Sequence, residues 1–579
     1  MTASTDIAPR KNANELAARI GWAALICATL YVCYFSHLGA IGFVGPDEPR
    51  YAWIARDMAE TGDWVTPRLY GKPWFEKPPL YYWGAAICFK LFGVSEAAAR
   101  LPSAISALLA TLAMAWLAWR VYGAETARWL LLLLPTTVGM IGFSHAAATD
   151  MPFSAMLAIA MVCAAVIVGL VPERSSQDGA QHAAPLLDGR LVAPRRWLAP
   201  ILFGFFLGLA VLAKGPAGII LCGGAVFFWA LFAKRWRDAL RLLHPAAIAA
   251  FCLTALPWYI LCARRNADFF RIFIIEHNFK RYLTPEFQHI QPFWFYGPII
   301  LLACLPWTLL LFPAIGDSFK SAKRESPYLA VDSFLASWAV FSMFFFTASN
   351  SKLPGYILPA VPALLLLGSR VVCRSLKSDE HLHRAVLFLS SIASAAMILI
   401  IVRYTARFRG LSIFDDFGNQ AEIMLLGLRV IEYVVALAAP LLISFRRSHI
   451  GMICALSALV GFLWSGGLAT LPQLDRTISP RTESLALADE RRQDEQVLLC
   501  GMPRSFSYGY SFYLRRELTE WDRISAKPAL VIVGPACFSE LKNPNYRLQT
   551  NPIGALLPFP VIRFDPHSAA DMPGSGKPQ

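Results

Sequence analysis

The sequence predicts an α-helical polytopic membrane protein with about thirteen transmembrane helices and a small C-terminal α/β domain. Apolar runs long enough to span a bilayer, about 18–20 residues each, recur between about residues 20 and 470. Only 16% of the residues are charged, whereas a soluble protein has about a quarter. After about residue 471, the alternating stretches QVLLCGM, ALVIVGP and PVIRF indicate short strands.

The predicted spans follow an N-terminal tail, residues 1–19, which we expect in the cytoplasm. The first span, Ile20 to Phe43, is too long for a signal-peptide core and lacks a cleavage site, so we expect it to be retained. Segment 78–94 is short and opens with two prolines, which favours an interfacial or re-entrant piece. The predicted spans of the transmembrane domain, residues 20–470, are 20–43, 98–119, 126–143, 148–170, 198–213, 215–233, 244–263, 293–315, 329–347, 354–372, 385–402, 422–444 and 450–470.

The net charge of +14 comes mostly from Lys and Arg in short loops between apolar segments. Such charges orient spans with the basic loops in the cytoplasm, so they favour a membrane protein over a nucleic-acid partner. Thirteen spans place the basic clusters, among them the one around Arg174 and Arg190, on one side. The outer side then receives loops 44–97 and 264–292 and the C-terminal domain, 471–579, whose end we expect to be disordered.

The twelve cysteines are scattered through apolar runs without a CxxC pair, which is typical of small buried residues. Cys500 and Cys537, in the C-terminal domain, pair only if the fold brings them together, and the sequence leaves this open.

The first outer loop opens with two carboxylates, Asp47 and Glu48, directly after the first span. Pro49 suits the first turn of a helix and Gly62 its end, and the helix between them is amphipathic, so we expect it to lie flat on the membrane. Arg50, three residues after Asp47, can share its face. Both carboxylates are candidate catalytic residues, and the alternative is that they only cap a surface helix.

A third carboxylate, Asp150, stands at the outer start of a span, after the stretch SHAAAT. A carboxylate at that depth is costly unless it has a partner, which favours a functional residue. We therefore count Asp150 with the candidate catalytic residues, and a second N-cap is the alternative.

Glu76 and Lys77 lie on a loop, because a residue that precedes proline is extended. The aromatic residues around them, including Tyr81 and Tyr82, are typical of the membrane–water boundary. This arrangement suits a lipid headgroup, and an interfacial anchor with a salt bridge is the alternative.

Basic residues on the outer side break the usual distribution and favour a phosphate-bearing partner. Alone, each lone cation is more simply a snorkelling anchor, but together with Arg50 and Lys77 they indicate an anion site. These further outer cations are Lys214, Arg264, Arg265, Arg271, Lys280, Arg281 and Lys352.

A divalent metal such as zinc stays open, because imidazole and carboxylate are generic metal ligands. Glu276 and His277 are adjacent in the second outer loop, and Glu76 lies in the first. We name Glu76 and His277 as candidate ligands, and we expect no nucleotide cofactor.

Five segments carry a family resemblance: PDEPRYAWIARDMAETGDWVTPRLYGKPWFEKPPLYYW, ATDMPF, LAKGP, FFRIFIIEHNFKRYLTPEFQH and SNSKLPGYILPA. They resemble the bacterial aminoarabinose transferases, membrane glycosyltransferases of the GT-C class, and the resemblance runs to about residue 370. It implies that Asp47 and Asp150 match essential acidic residues, that Arg50 and Lys77 contact the donor phosphate, and that Glu76 is a metal ligand.

The resemblance implies transfer of 4-amino-4-deoxy-L-arabinose from undecaprenyl phosphate to lipid A phosphates at the periplasmic face of the inner membrane, which gives polymyxin resistance. Independently of the resemblance, the residues themselves lead us to add Lys214, Arg264, Arg265 and Lys352 to the donor-phosphate site, and to expect contacts with the acceptor or a headgroup from Tyr81, Tyr82, Arg271, Lys280 and Arg281. We expect a monomer among membrane lipids.

The alternative function is transfer of another polyprenyl-phosphate-linked sugar, such as mannose, or transfer to a protein or glycan acceptor. A lipid flippase or transporter is the remote alternative. The lipid A phosphate that is modified stays open.

Overall fold

The computed structural model describes residues 7–172, 195–283, 290–316, 328–378, 381–406, 419–490, 495–522, 528–537, 547–548 and 559–564. The chain divides into two compact units. The helical unit comprises Met1–Ser36, Trp74–Gly84 and Arg100–Gly467, and the mixed unit comprises His37–Pro73, Ala85–Ala99 and Leu468–Gln579. The predicted disordered end and the basic cluster around Arg174 and Arg190 lie outside the described residues.

Helices account for most of the described chain up to residue 490. Their bounds are α1 Ile7–Tyr34, α2 Asp47–Thr61, α3 Leu80–Phe92, α4 Glu96–Tyr122, α5 Ala124–Leu133, α6 Val138–Ser144, α7 Asp150–Ile167, α8 Arg195–Lys214, α9 Ala217–Ala233, α10 Trp236–Leu240, α11 Pro245–Arg265, α12 Arg281–Leu283, α13 Tyr296–Ala303, α14 Trp307–Gly316, α15 Leu329–Thr347, α16 Val361–Lys377, α17 His381–Ala406, α18 Asn419–Ser444, α19 Ser448–Ile478 and α20 Arg481–Glu490. A π-helix covers Arg271–Lys280, and 3-10 turns cover Arg241–Leu243 and Pro354–Ala360.

Ten of the described helices are long and apolar enough to cross a membrane, and twelve spans result if each bent helix pair counts as one. The bends are 62° between α5 and α6 and 107° between α13 and α14. The 17-residue apolar helix α9 coincides with predicted span 215–233, and α3 is short, as predicted for segment 78–94. The prediction of a polytopic helical membrane protein is confirmed.

The first helix ends earlier than predicted, at Tyr34 instead of Phe43. His37 has a positive φ of 59°, a backbone conformation that ends a right-handed helix. Apolarity alone extended the prediction through residues 35–43, which form turns and coil.

A buried charged cluster joins the end of α4, the start of α15 and the end of α16. The Tyr122 hydroxyl donates to Asp332 Oδ1 over 2.6 Å, and Arg370 pairs with the same carboxylate and stacks on the Tyr122 ring. A charge at this depth is stable only with such partners. These three helix ends are all predicted to face the cytoplasm, so their convergence agrees with the predicted alternation of spans.

The C-terminal part of the mixed unit is a four-stranded sheet with α20 and α21 (Arg504–Tyr513). The strand order is β3-β4-β6-β5, with β3 and β4 parallel and the other pairs antiparallel. Every residue of β4 is buried, as expected for a central strand covered on both faces. The predicted small α/β domain is confirmed. The strands are β3 Gln496–Cys500, β4 Ala529–Val533, β5 Arg547–Leu548 and β6 Val561–Phe564, and a separate hairpin pairs β1 Arg68–Leu69 with β2 Lys72–Pro73.

Cys500 and Cys537 form a disulfide, which decides the pairing that the sequence left open. Cys500 ends β3, and Cys537 follows β4 in the next turn. Because β3 and β4 are parallel neighbours, their carboxyl ends lie at one edge of the sheet, where the two sulfur atoms meet.

Candidate functional site

The first turn of α2 separates the roles of its two carboxylates. The Val44 backbone N–H donates to Glu48 Oε2 over 2.8 Å, and Glu48 is buried. Asp47 is about half exposed and pairs with Arg50. Pro46, the residue before the helix, makes no side-chain cap. Glu48 therefore binds the backbone N–H of a residue that precedes the helix, and its catalytic role stays a prediction, while Asp47 keeps a carboxylate accessible for chemistry.

Helix α2 ends as predicted at Gly62, which has a φ of 75°, but it does not present an apolar face to lipid. Tyr51, Ile54, Ala55 and Met58 are all buried inside the protein. The prediction of a helix lying flat on the membrane surface is therefore wrong for its apolar face. Amphipathic spacing identifies a covered face, and it does not distinguish lipid from protein as the cover.

Asp150 and Lys214 form the central pair of the helical unit. Lys214 Nζ lies 2.5 Å from Asp150 Oδ1, and the Lys214 side chain is only 8% exposed. The Lys214 ammonium also lies 4.3 Å from the centroid of the Tyr356 ring. Asp150 begins α7 and Lys214 ends α8, so two antiparallel neighbouring helices bring these residues together. The structure brings these two candidate residues together, and it gives Lys214 a buried position that a snorkelling anchor would not have.

The segment between α15 and α16 closes over this pair. A methyl group added at Gly355 would lie 2.8 Å from Asp150 Oδ1 and 2.7 Å from Phe143 Cε1, so the backbone passes directly beside the carboxylate. Lys352 is also buried, and its Nζ donates to the Ser349 carbonyl over 2.6 Å. The snorkelling alternative is therefore wrong for Lys352 as well.

Glu76 and Lys77 lie on an irregular loop, as predicted, with their charged atoms 4.0 Å apart and both side chains largely buried. Tyr81 and Tyr82 follow in α3, and both are fully buried. Their interpretation as part of an aromatic belt at the membrane boundary is therefore wrong. A role for them requires a ligand that enters the protein, and this role stays a prediction.

The cations of the second outer loop are more exposed than those beside Asp150. Arg264 and Arg265 are exposed at the end of α11, and Lys280 is exposed at the end of the π-helix. Arg271 pairs with Asp268 at 3.1 Å and with Glu276 at 2.6 Å. Its charge therefore already has local partners, so a phosphate is not needed to explain it. The side chain of Arg281 lies outside the described residues.

No group of three or more His, Cys, Asp or Glu residues comes together as a metal site within the part of the chain that the structure describes. Glu76 pairs with Lys77, and Glu276, beside the half-buried His277, pairs with Arg271. The described residues thus offer no metal centre of the usual ligand number. The roles of Glu76 and His277 as metal ligands stay predictions.

Sequence reasoning missed Gly355 and Tyr356 beside the Asp150–Lys214 pair. The available signal is the motif SKLPGY itself, in which Pro354, Gly355 and Tyr356 follow the predicted cation Lys352. Only the tertiary fold places them beside a carboxylate 205 residues earlier in the chain.

Comparison with known proteins agrees with the resemblance. A family model described as dolichyl-phosphate-mannose-protein mannosyltransferase matches residues 23–273. An undecaprenyl phosphate-alpha-4-amino-4-deoxy-L-arabinose arabinosyl transferase of Pseudomonas aeruginosa (strain UCBPP-PA14) is 32% identical over 355 residues, covering 61% of this chain and 60% of the relative. A protein of the same name from Enterobacter sp. (strain 638) is 30% identical over 326 residues, covering 56% and 54%. The matched part therefore spans less than two thirds of the length of these relatives.

Solved structures extend the likeness to nearly the whole chain. The crystal structure of ArnT from Cupriavidus metallidurans bound to undecaprenyl phosphate gives a TM-score of 0.71 at 21% identity, covering 94% of this chain and 98% of that chain. This chain has the ArnT fold. The apo form of the same protein gives the same TM-score at 22% identity. The predicted GT-C type fold and the resemblance to aminoarabinose transferases are confirmed, and the ArnT fold includes the C-terminal part for which the sequence offered no matching motif.

Proposed function

We propose that the chain is a lipid-linked glycosyltransferase that moves 4-amino-4-deoxy-L-arabinose from undecaprenyl phosphate to phosphate groups of lipid A. The observation that carries the proposal is the Asp150–Lys214 pair, a carboxylate and an ammonium held 2.5 Å apart at adjoining helix ends. In the mixed unit, Arg50 and Asp47 form a second acid–cation pair. Cations held in fixed positions suit a reaction in which negative charge develops on a leaving phosphate.

The transfer forms a bond between an acceptor phosphate oxygen and the anomeric carbon of the sugar. The bond between that carbon and the donor phosphate oxygen breaks, and its electron pair leaves on undecaprenyl phosphate. The acceptor phosphate is already anionic near neutral pH, so little base catalysis is needed. Direct displacement inverts the anomeric configuration.

The residues divide this work by charge and position. In the helical unit, Lys77 and Lys214 are the cations that neutralise the leaving phosphate. In the mixed unit, Arg50 has the role of a donor-phosphate contact that the resemblance implies. Asp150 holds the Lys214 ammonium in place and keeps its charge compensated before the substrate arrives. Asp47, whose carboxylate is about half exposed, orients the acceptor and the cationic sugar, or accepts a proton from a monoprotonated acceptor phosphate.

We place the mixed unit in the periplasm and the helical unit in the bacterial inner membrane, with the chain acting as a monomer. The disulfide between Cys500 and Cys537 supports this side, because disulfides persist in oxidising compartments. The buried Tyr122–Asp332–Arg370 cluster supports the alternation of spans on which this orientation depends, because it joins helix ends that are predicted to share one side.

A protein mannosyltransferase is the second candidate, and the matching family model over residues 23–273 favours it. It needs the same polyprenyl-phosphate leaving group, so the two candidates differ in the sugar and the acceptor. Acceptor identity therefore discriminates between them.

The test uses the full chain purified into lipid nanodiscs with undecaprenyl-phosphate-linked aminoarabinose. Lipid A and an unfolded polypeptide are offered as acceptors, and products are weighed by mass spectrometry. We expect lipid A to gain one aminodeoxypentose and the polypeptide to gain nothing. Sugar on the polypeptide alone, obtained with either this donor or a mannosyl donor, would favour the second candidate.

A further inference from the structure

The guanidinium of Arg50 is held by a group from the C-terminal domain as well as by its own helix. Arg50 Nε donates to the Pro46 carbonyl over 2.9 Å, and the side chain pairs with Asp47. The carbon of the guanidinium lies 5.7 Å from the centroid of the Tyr51 ring and 5.2 Å from that of Tyr508. Arg50 is only 6% exposed, so these contacts surround most of it.

Tyr508 belongs to α21, which packs along α2 through a second contact of the same kind. The Arg56 guanidinium lies 4.9 Å from the Phe512 ring and donates to the Phe512 carbonyl over 3.3 Å. Phe512 also packs edge-on against Phe43 at 4.8 Å. The Arg56–Phe512 contact already fixes the register of the two helices, so the Tyr508 ring is not required to dock them.

The Tyr508 side chain is also held at its hydroxyl group. Arg504, one turn earlier in α21, donates to the Tyr508 hydroxyl over 3.3 Å. One residue further on, Gly509 lies so close to Pro480 that a methyl group there would be 2.4 Å from Pro480 Cγ. Close backbone packing at that point fixes the height of the Tyr508 ring above α2.

We propose that Tyr508 is a positioning residue that the C-terminal domain contributes to the donor-phosphate site, acting through Arg50. An aromatic face against a guanidinium restricts its rotamers and removes water from it. A guanidinium fixed in this way binds a phosphate with less loss of entropy. The proposal rests on the proposed function, which makes Arg50 a ligand of the donor phosphate.

The test measures binding of undecaprenyl phosphate to the full chain in nanodiscs. Tyr508→Ala removes the ring, and we expect the Kd to rise about 3- to 30-fold, the range that one cation–π contact covers. Tyr508→Phe keeps the ring and loses only the hydroxyl, so its Kd should stay within about twofold of the wild-type value. In an Arg50→Ala background, Tyr508→Ala should add nothing, because the contact is already gone.

Phe506→Ala is the matched structural control, since Phe506 lies on the same helix but packs against Phe559 at 4.8 Å in the domain core. It should lower the stability of the domain and leave the Kd of the folded protein unchanged. Equal Kd values for Tyr508→Ala and wild type, with Arg50→Ala weakened, would overturn this inference and leave the proposed function standing. An unchanged Kd in Arg50→Ala would instead overturn the assignment of Arg50 on which both depend.

Discussion

At the scale of single residues, the account depends on charges that are paired before any substrate binds. Lys214 is buried, and an unpaired ammonium there would be costly, so Asp150 is needed even in the resting protein. The same pairing keeps the ammonium at a fixed point, so it can stabilise the negative charge of a leaving phosphate without a rearrangement of the site.

Replacing Lys214 by Met tests this pair, because Met keeps much of the volume and removes the charge. We expect the rate of sugar transfer to fall about 100-fold or more, the usual loss for one electrostatic group at a developing charge. Lys377→Ala is the control. Lys377 is 69% exposed and pairs with Glu125, where α16 ends and α5 begins, at the helix ends that are predicted to be cytoplasmic. Rates are compared in nanodiscs, and a Lys214→Met rate within threefold of wild type contradicts the role given to the pair.

Glu483, in α20, predicts a pH dependence of stability. Burial raises the pKa of its carboxyl to about 8, although the Phe559 backbone N–H donates to it and opposes the shift. The folded state therefore holds a proton that the unfolded state releases above its ordinary pKa of 4.5. Stability of the mixed unit should fall as pH rises from about 4.5 to about 8, by up to about 1.4 kcal/mol per pH unit.

Hydrogen exchange of the β4 amides in the full chain measures this effect. Glu483→Gln, which is neutral at every pH, should flatten the dependence and protect β4 better at pH 8 by about 2–4 kcal/mol. A wild-type protection that rises between pH 5 and 8 would contradict the assignment.

At the scale of elements, the turn Pro354–Ala360 before α16 can pass close to Asp150 because Gly355 has no side chain. Gly355→Ala puts a methyl group against Asp150 and Phe143, so the carboxylate, the Phe143 ring or the backbone of this segment must shift. Displacements of about 1 Å at a reacting site can cost about 100-fold in rate, and we expect a loss of about 10- to 100-fold in transfer. Gly368→Ala, within α16, is the control, because its methyl group would meet Leu310 at an ordinary 3.5 Å. Equal rates for the two variants would show that the close approach does not position Asp150.

Elements whose signals are local could be predicted from the sequence. The end of α2 at Gly62 and the short α3 after Pro78 and Pro79 follow from helix-capping and proline rules. Whether lipid or protein covers the apolar face of α2 could not be predicted, because the amphipathic spacing is the same in both cases. The end of the first helix at Tyr34 was also missed, since the residues up to Phe43 are mostly apolar and carry no proline.

At the scale of the whole molecule, hydropathy predicted the membrane architecture because each span must satisfy its own backbone hydrogen bonds. The composition of the two units could not be predicted. The mixed unit combines residues 37–73 and 85–99 with the chain after residue 467, and no local pattern links segments so far apart. For the same reason, the sequence could name Asp150 and Lys214 separately but could not show that they pair.

The orientation of the chain is tested with one cysteine at a time in a cysteine-free background. Lys72→Cys, in the mixed unit, should react with a membrane-impermeant maleimide added to the periplasm of intact cells, since its side chain is 77% exposed. Lys377→Cys should react only after the inner membrane is opened. Labelling of both positions from the same side would contradict the predicted topology.

The mass of lipid A from cells is the most direct test of the central claim, that this chain transfers aminoarabinose to lipid A. The chain is expressed in a strain that makes the lipid-linked sugar but lacks its own transferase, beside an Asp47→Asn variant that keeps the shape and removes the charge. We predict lipid A carrying the additional aminodeoxypentose with the wild-type chain and unmodified lipid A with the variant. Unmodified lipid A with the wild-type chain, correctly inserted in the membrane, would contradict the account.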